Sequence, residues 1–184
     1  MELMETIKGR RSIRRYQSKE VPEEVLNKVL EAFQWAPSWN NSQCWELIII
    51  KDAAIKEALQ ATMGKGNPAK KSIIEAPLLI AICAKLKYSG YDKGEAVTQI
   101  GDWAMYDLGL ANQNLCLMAH SLGLGTVVVA FFDHNRVNEI LEVPSGYKAL
   151  TIIPLGYPAA DVKAPDRRKI GDFTHENKFR GTTD

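Results

Sequence analysis

Six consecutive residues, Arg10-Arg11-Ser12-Ile13-Arg14-Arg15, gather four guanidinium groups around one hydroxyl. A guanidinium is a planar fork of donors that matches phosphate oxygens two at a time, and the serine adds a neutral donor at shorter reach. Such a set suits a phosphate monoester. Arginines that follow a helix also complement its negative C-terminal end while staying in water, and the apolar-patterned Leu3, Met4 and Ile7 directly upstream leave that plainer use open. A second cluster, Ser38-Trp39-Asn40-Asn41-Ser42-Gln43-Cys44-Trp45, sets amides and hydroxyls between tryptophans. Amides framed by large aromatic faces suit a flat ligand that takes hydrogen bonds at its edge.

Other motifs are excluded by their context. The glycines of Met63-Gly64-Lys65-Gly66-Asn67-Pro68 are not followed by Gly-Lys-Ser/Thr, so they form no phosphate loop. Gly123 and Gly125 follow a helical stretch and precede a strand, the reverse of a dinucleotide-binding fingerprint. His120, His134 and His175 are scattered and read as structural or exposed, and Cys44, Cys83 and Cys116 lack metal-ligand spacing, so no metal site is expected. The chain has 184 residues, 46% hydrophobic and 24% charged, which fits one compact domain over 1–184 with a substantial core. Its 23 basic and 22 acidic side chains leave a net charge of +1, so no global field draws it to nucleic acid or an anionic membrane. Three cysteines in or beside apolar runs point to reduced thiols and a cytoplasmic protein. Met1 to Glu5 is acidic where a signal peptide would be basic. The longest apolar stretch, Leu108 to Phe132, is broken by Asn112, Gln113, Asn114 and His120, so neither an export signal nor a membrane span is expected.

The elements that must position these clusters follow from periodicity. Val25, Val29, Ala32, Phe33 and Ala36 recur at helical spacing behind Pro22, which predicts a helix of about four turns ending at Ala36-Pro37. Glu46 to Ile50 reads as a buried strand, and Asp52 as the cap of a helix through Ile55, Leu59 and Thr62. Ala69 to Ala76 reads as a short helix before a second strand, Leu78 to Ala84, with Lys85 to Lys93 a surface excursion or lid. The longest helix is expected from about Glu95 to Leu122, stopped by Gly123. Gly125 to Phe132 is expected as a third strand, Asp133 as the cap of a helix carrying Val137, Ile140 and Leu141, and Ala149 to Leu155 as the fourth strand. Residues 159–184 form a basic tail with Phe173 and Phe179 as anchors.

In this order the segments resemble the FMN-dependent nitroreductase family, from Arg10 to about His175. Residues 10 to 16, Arg-Arg-Ser-Ile-Arg-Arg-Tyr, are similar to the family's phosphate segment, and 36 to 45, Ala-Pro-Ser-Trp-Asn-Asn-Ser-Gln-Cys-Trp, to its flavin loop. Asp107 through Gly125 is similar to the central helix and turn, and Ile153-Pro154-Leu155-Gly156-Tyr157-Pro158 to the last core strand. The resemblance implies an α+β fold, a nitroreductase-like three-layer sandwich with a central mixed β-sheet flanked by helices. It implies a homodimer with two FMN sites at the interface, and a tail, 159–184, packing on the partner subunit. Carried over by position, Arg10, Arg11, Ser12 and Arg14 would hold the FMN phosphate and ribityl region, with Arg168, helped by Arg167, completing the anion site. Ser38, Asn41 and Gln43 would approach the ring or its linker, Ser38 from the partner chain, and backbone groups of Val129, Ala130 and Phe131 would face the ring.

A cation near the ring's N1 and C2 carbonyl favours reduction, and Lys70 or Lys71 is the candidate. No catalytic acid, base or nucleophile is required, because FMN performs the redox step. Cys44 stands where the family usually has proline, Ala130-Phe131 where glycine is common, and Asp166 where a basic residue often helps hold phosphate. Cys44 is either a small buried filler or a thiol beside the flavin. Trp39 and Trp103 either stack near substrate or pack at the dimer interface, and Trp35 and Trp45 read as packing residues. The leading functional reading is a two-electron, ping-pong oxidoreductase. NADH or NADPH reduces FMN and leaves, and a nitroaromatic, quinone or related flat acceptor takes its place. The competing reading is an FMN carrier or sensor without turnover. Relatives of this fold run several reactions, so the physiological acceptor and the choice between NADH and NADPH stay open.

Overall fold

The computed structural model describes residues 2–179 and Gly181; Met1, Arg180 and residues 182–184, the end of the expected tail, lie outside the described residues. Four strands form the main sheet in the order β1-β2-β6-β5: β1 Trp45–Ile50, β2 Leu78–Lys85, β5 Gly125–Thr126 and β6 Tyr147–Gly156. Every ladder is antiparallel, and the mixed character enters through one parallel bridge between Ser12 and Thr126. Strand alternation divides β2 between two cores. Leu78, Ile80 and Ile82 pack with Leu26, Val29 and Phe33 of α2 (Glu23–Gln34) and Leu108, Ala111 and Leu115 of α5 (Ala104–Ser121). Leu79, Ala81 and Cys83 face Leu59 of α3 (Ala53–Ala61), Ile73 of α4 (Ser72–Glu75) and Val137 of α6 (His134–Ile140). The result is the α+β three-layer sandwich expected. Fully buried side chains such as Phe33, Leu59 and Leu115 each contribute roughly 1.5–3 kcal/mol of transfer free energy.

Both expected aspartate caps form: Asp52 accepts from Ile55 N at 2.9 Å, and Asp133 from Asn135 N and Arg136 N at 3.1 Å. A short helix α1, Leu3–Gly9, precedes the arginine cluster. Four expectations need correction. The short helix expected over Ala69 to Ala76 is the single turn Ser72–Glu75, because the chain before it is taken up by turns closed by Lys70 N to Asn67 O and Ser72 N to Ala69 O. Helix α2 ends at Gln34, two residues early, because Pro37 disfavours helical backbone at Ala36 and fraying begins before it.

The long helix starts at Ala104 rather than Glu95. Residues 91–96 instead form a hairpin, β3 Tyr91–Asp92 with β4 Glu95–Ala96, whose two turn residues Lys93 and Gly94 have φ of 49° and 86°. A two-residue hairpin turn demands that pair of positive angles. Asp102 then stops any upstream extension by accepting from Ala104 N at 2.9 Å.

The expected strand 125–132 is also cut, to Gly125–Thr126 plus a bridge from Val129 to Ile152. Continuing the Gly125/Gly156 register sets Val127 opposite Pro154, which has no N–H to donate, and its carbonyl is already bonded by Tyr16 Oη at 3.1 Å. The ladder breaks there and the segment leaves the sheet, exposing Val128 and Phe131.

Candidate functional site

The arginine cluster lies where the chain turns from α1 into an extended segment along the sheet edge. Ile13 N donates to Thr126 O at 2.9 Å, and Ile13 seats over Gly125, where an added Cβ would come within 2.6 Å of Ile13 Cγ1. This anchoring fixes the residues on either side. Arg15 turns away: its Nε donates to Glu75 Oε2 at 2.9 Å, a half-exposed surface pair. Arg11 Nη1 donates to Lys8 O at 2.5 Å and Arg10 O at 2.7 Å, and Arg14 Nη1 to Ser12 O at 3.3 Å. The Nε atoms of Arg11 and Arg14 are buried and have no hydrogen-bond partner among the described residues. A buried donor without an acceptor costs about 1–3 kcal/mol, a penalty that no group among the described residues offsets here.

The cluster also borders a cleft of about 290 Å³ lined by Arg10, Arg11, Ser12 and Arg14, together with Lys163 and Arg167 of the tail. Arg168 is not among its walls. Its Nη2 donates to Asp172 O and its guanidinium lies 5.7 Å from the Phe173 ring centroid. Of the two tail arginines the structure therefore brings Arg167, not Arg168, to the cluster.

The Ser38 to Cys44 loop is held from within and from below. Ser38 Oγ accepts from Gln43 N at 3.0 Å, and Gln43 Nε2 lies 3.4 Å from Asn41 Oδ1. Asn40, Asn41 and Gln43 take φ of 46°, 53° and 46°, the left-handed region that side chains rarely occupy. The loop is pinned from below by Asp107, 1% exposed at the start of α5. Its carboxylate accepts from Trp39 N at 3.0 Å, Ser42 Oγ at 3.3 Å and Ser89 Oγ at 2.5 Å, with Cys44 Sγ at 3.7 Å. Sequence reasoning passed over Asp107. The available signal was one carboxylate on a helix face otherwise occupied by Ala104, Leu108 and Ala111. Burial, then the Asp107 charge, pushes the Cys44 thiol up to about 11, so this cysteine is an inert filler at neutral pH. The loop and the hairpin together enclose a cavity of about 410 Å³.

Segment 129–131 has fewer free backbone groups than its sequence suggested. Val129 spends N and O on Ile152, Ala130 O accepts from Phe132 N, and Phe131 O accepts from Asn67 Nδ2 at 2.8 Å. The N–H groups of Ala130 and Phe131 make no hydrogen bond among the described residues. Lys71 is exposed at the start of α4, and Lys70 Nζ reaches Met63 O at 3.4 Å.

Helix α5 measures how far apart the two clusters lie. His120, near its C-terminal end, packs against Gly9 and shares a wall with Arg10 and Arg11, while Asp107, near its N-terminal end, holds the Ser38 loop. Thirteen residues separate them, about 20 Å of helix. One chain does not bring Ser38, Asn41 and Gln43 to Arg11 and Arg14.

Residues 7–157 match the family model described as the nitroreductase family. The chain belongs to the nitroreductase family. It is 33% identical over 176 residues to a protein of Methanothermobacter thermautotrophicus that carries the provisional name NADH dehydrogenase/NAD(P)H nitroreductase, with 91% of this chain and 85% of that one covered. It is 30% identical to the FMN reductase [NAD(P)H] of Bacillus subtilis, covering 86% of this chain and 66% of that one. The solved structure of an FMN-dependent nitroreductase from Clostridium difficile R20291 superposes with a TM-score of 0.80 at 29% identity, over 96% of this chain and all of that one.

This protein is thus a nitroreductase-family oxidoreductase. Among the described residues of this nitroreductase-family chain no group of three or more His, Cys, Asp or Glu side chains could hold a metal ion, and no helix is long and apolar enough to cross a membrane. Burial, then Arg10 and Arg11, lowers the pKa of His120, so the ring beside the arginine cluster is neutral at physiological pH.

Proposed function

We propose that this nitroreductase-family protein is an FMN-dependent NAD(P)H oxidoreductase that passes two electrons, in ping-pong order, to nitroaromatic, quinone or related flat acceptors. The observation that carries the cofactor assignment is the cleft in which Arg10, Arg11, Arg14, Lys163 and Arg167 gather five cations around the Ser12 residue. A phosphate monoester fits that set. Arg10, Arg11, Ser12 and Arg14 would hold the phosphate, with Arg167 closing the cleft from the tail. FMN, when bound, supplies a ring that accepts a hydride and gives it up. The chain's own residues place it. The free N–H groups of Ala130 and Phe131 would face the ring in the same chain, with Lys71, or Lys70 beside it, as the nearby cation. The names of the Bacillus and Clostridium relatives support the choice of FMN and NAD(P)H.

Ser38, Asn41 and Gln43 would reach the ring from the partner chain, because about 20 Å of α5 separates them from the phosphate end of their own chain. A homodimer with two composite sites answers that geometry. Its surface is available: Leu3 and Met4 of α1, Trp35, and Met105 and Tyr106 of α5 are more than half exposed. The tail, from 159 onward, exposes Ile170, Phe173 and Phe179, and would cover the partner rather than its own single domain. Chromatography of flavin released by heat, together with NADH and NADPH oxidation in the presence of a nitroaromatic or quinone, tests the assignment. FMN and acceptor-dependent oxidation are expected. FAD, or a well-folded protein without flavin affinity, would contradict it.

A further inference from the structure

The cavity between the Ser38 loop and the β3–β4 hairpin carries more information than the fold requires. Its aromatic walls are Trp39, Tyr88 and Tyr91, and its cations are Lys87 and Lys93. Four of the seven non-glycine residues with positive φ, Asn40, Asn41, Lys87 and Lys93, line this one cavity. Asparagine tolerates that backbone region and the Lys93 angle belongs to the hairpin turn, which leaves Lys87 as the strained residue at the cavity, a kind that collects at ligand sites. The surrounding structure enforces the strain. Lys87 N donates to Asp102 Oδ2 at 2.6 Å, and Trp103 N donates to Ser89 O at 3.1 Å. Gly90 leaves no room for a side chain, since an added Cβ would lie 2.4 Å from Trp103 Cδ1. The single ion pair among the described residues is Arg15–Glu75, so neither lysine is neutralised by direct contact. Asp92 also lines the cavity, so its wall carries two cations and one carboxylate, a positive balance.

The geometry points to this cavity as the acceptor subsite, selective for a planar aromatic that bears a negatively charged substituent such as a carboxylate. The inference rests on the oxidoreductase reading above. Trp39, Tyr88 and Tyr91 would supply the apolar wall for the ring, while Lys87 and Lys93 would meet the anion. For a nitro group the reaction balances as reduction to nitroso with release of water. The hydride of NAD(P)H supplies both electrons and one proton, and solvent supplies the second proton.

Titration calorimetry of the FMN-loaded protein with 4-nitrobenzoate and with 4-nitrobenzamide, a flat neutral analogue, isolates the charge. The carboxylate is expected to bind roughly tenfold more tightly. Lys87→Asn/Lys93→Asn, which keeps residues tolerant of the left-handed backbone, should bring the two affinities together. Lys28→Gln, a charge change on α2, should preserve the difference. Equal affinities in the unaltered protein, or a preference untouched by the double variant, overturn the inference. Quinone-dependent NAD(P)H oxidation without binding of either nitro compound overturns the subsite and leaves the oxidoreductase reading standing. Carboxylate preference without turnover of any acceptor removes the oxidoreductase reading and the acceptor role with it, leaving only an anion-selective aromatic site.

Discussion

Arg14 and Arg15 are adjacent and chemically identical, yet their surroundings give them opposite uses. Arg15 is paired with Glu75 at the surface, where an ion pair contributes at most about 1 kcal/mol. Arg14 lines the cationic cleft, and among the described residues its guanidinium makes one hydrogen bond, Nη1 to Ser12 O at 3.3 Å. Arg14→Ala is therefore expected to weaken FMN binding by roughly ten- to a hundredfold, the worth of one charge-assisted hydrogen bond, and Arg15→Ala to leave it unchanged, as read by flavin titration of the apoprotein. The cluster was legible in the sequence as a run of arginines. Which of them is free was not, because Glu75 lies sixty residues away.

His120 gives a pH dependence of defined sign. Its folded pKa lies below the ordinary value near 6.5, so the unfolded chain binds the extra proton first. Stability should fall as pH drops from about 6.5 toward the depressed folded value and level off below it. Urea midpoints across that range should show a shallower loss for His120→Gln than for the unaltered protein.

At the scale of elements, one buried carboxylate joins three pieces of chain. Asp107 on α5 fixes the Ser38 loop through Trp39 N and Ser42, and the segment before the hairpin through Ser89. Asp107→Ala would strand these donors at about 1–3 kcal/mol each where they stay buried, so a loss near 3 kcal/mol is expected in denaturant unfolding. The measurement also reads the loop's independence, since a loss under about 1 kcal/mol would mean that water replaces the carboxylate. The two aspartate caps and the strands β1, β2 and β6 were legible because they follow local chemistry and period, whereas the three-layer arrangement came from the resemblance. The start of α5 and the end of β5 were misread, because apolar spacing outweighed two local signals: the Lys93-Gly94 turn and the absence of an N–H at Pro154. Asp107 escaped because its role exists only after residues 39, 42 and 89 have folded onto one helix end.

At the scale of the whole molecule, the arginine cluster and the Ser38–Cys44 loop, the proposed phosphate and ring ends, lie at opposite ends of α5. The sequence showed both clusters but not the 20 Å, roughly, of helix between them. Sedimentation of the flavin-loaded protein should report a dimer, and truncation after Pro158 should weaken both dimer and FMN retention, since the tail carries Lys163 and Arg167 to the cleft. A monomer that retains FMN would exclude the composite site. The most direct measurement mixes two defective chains, Arg11→Ala/Arg14→Ala and Asn41→Ala/Gln43→Ala, and follows NAD(P)H oxidation with FMN and an acceptor. Each homodimer should be impaired, one in FMN retention and the other in turnover per bound FMN. Hybrid dimers should recover activity, because one of their two sites receives its phosphate end and its ring end from unaltered segments. Activity no greater than the sum of the separate variants, in samples shown to contain hybrids, would contradict the two-chain site.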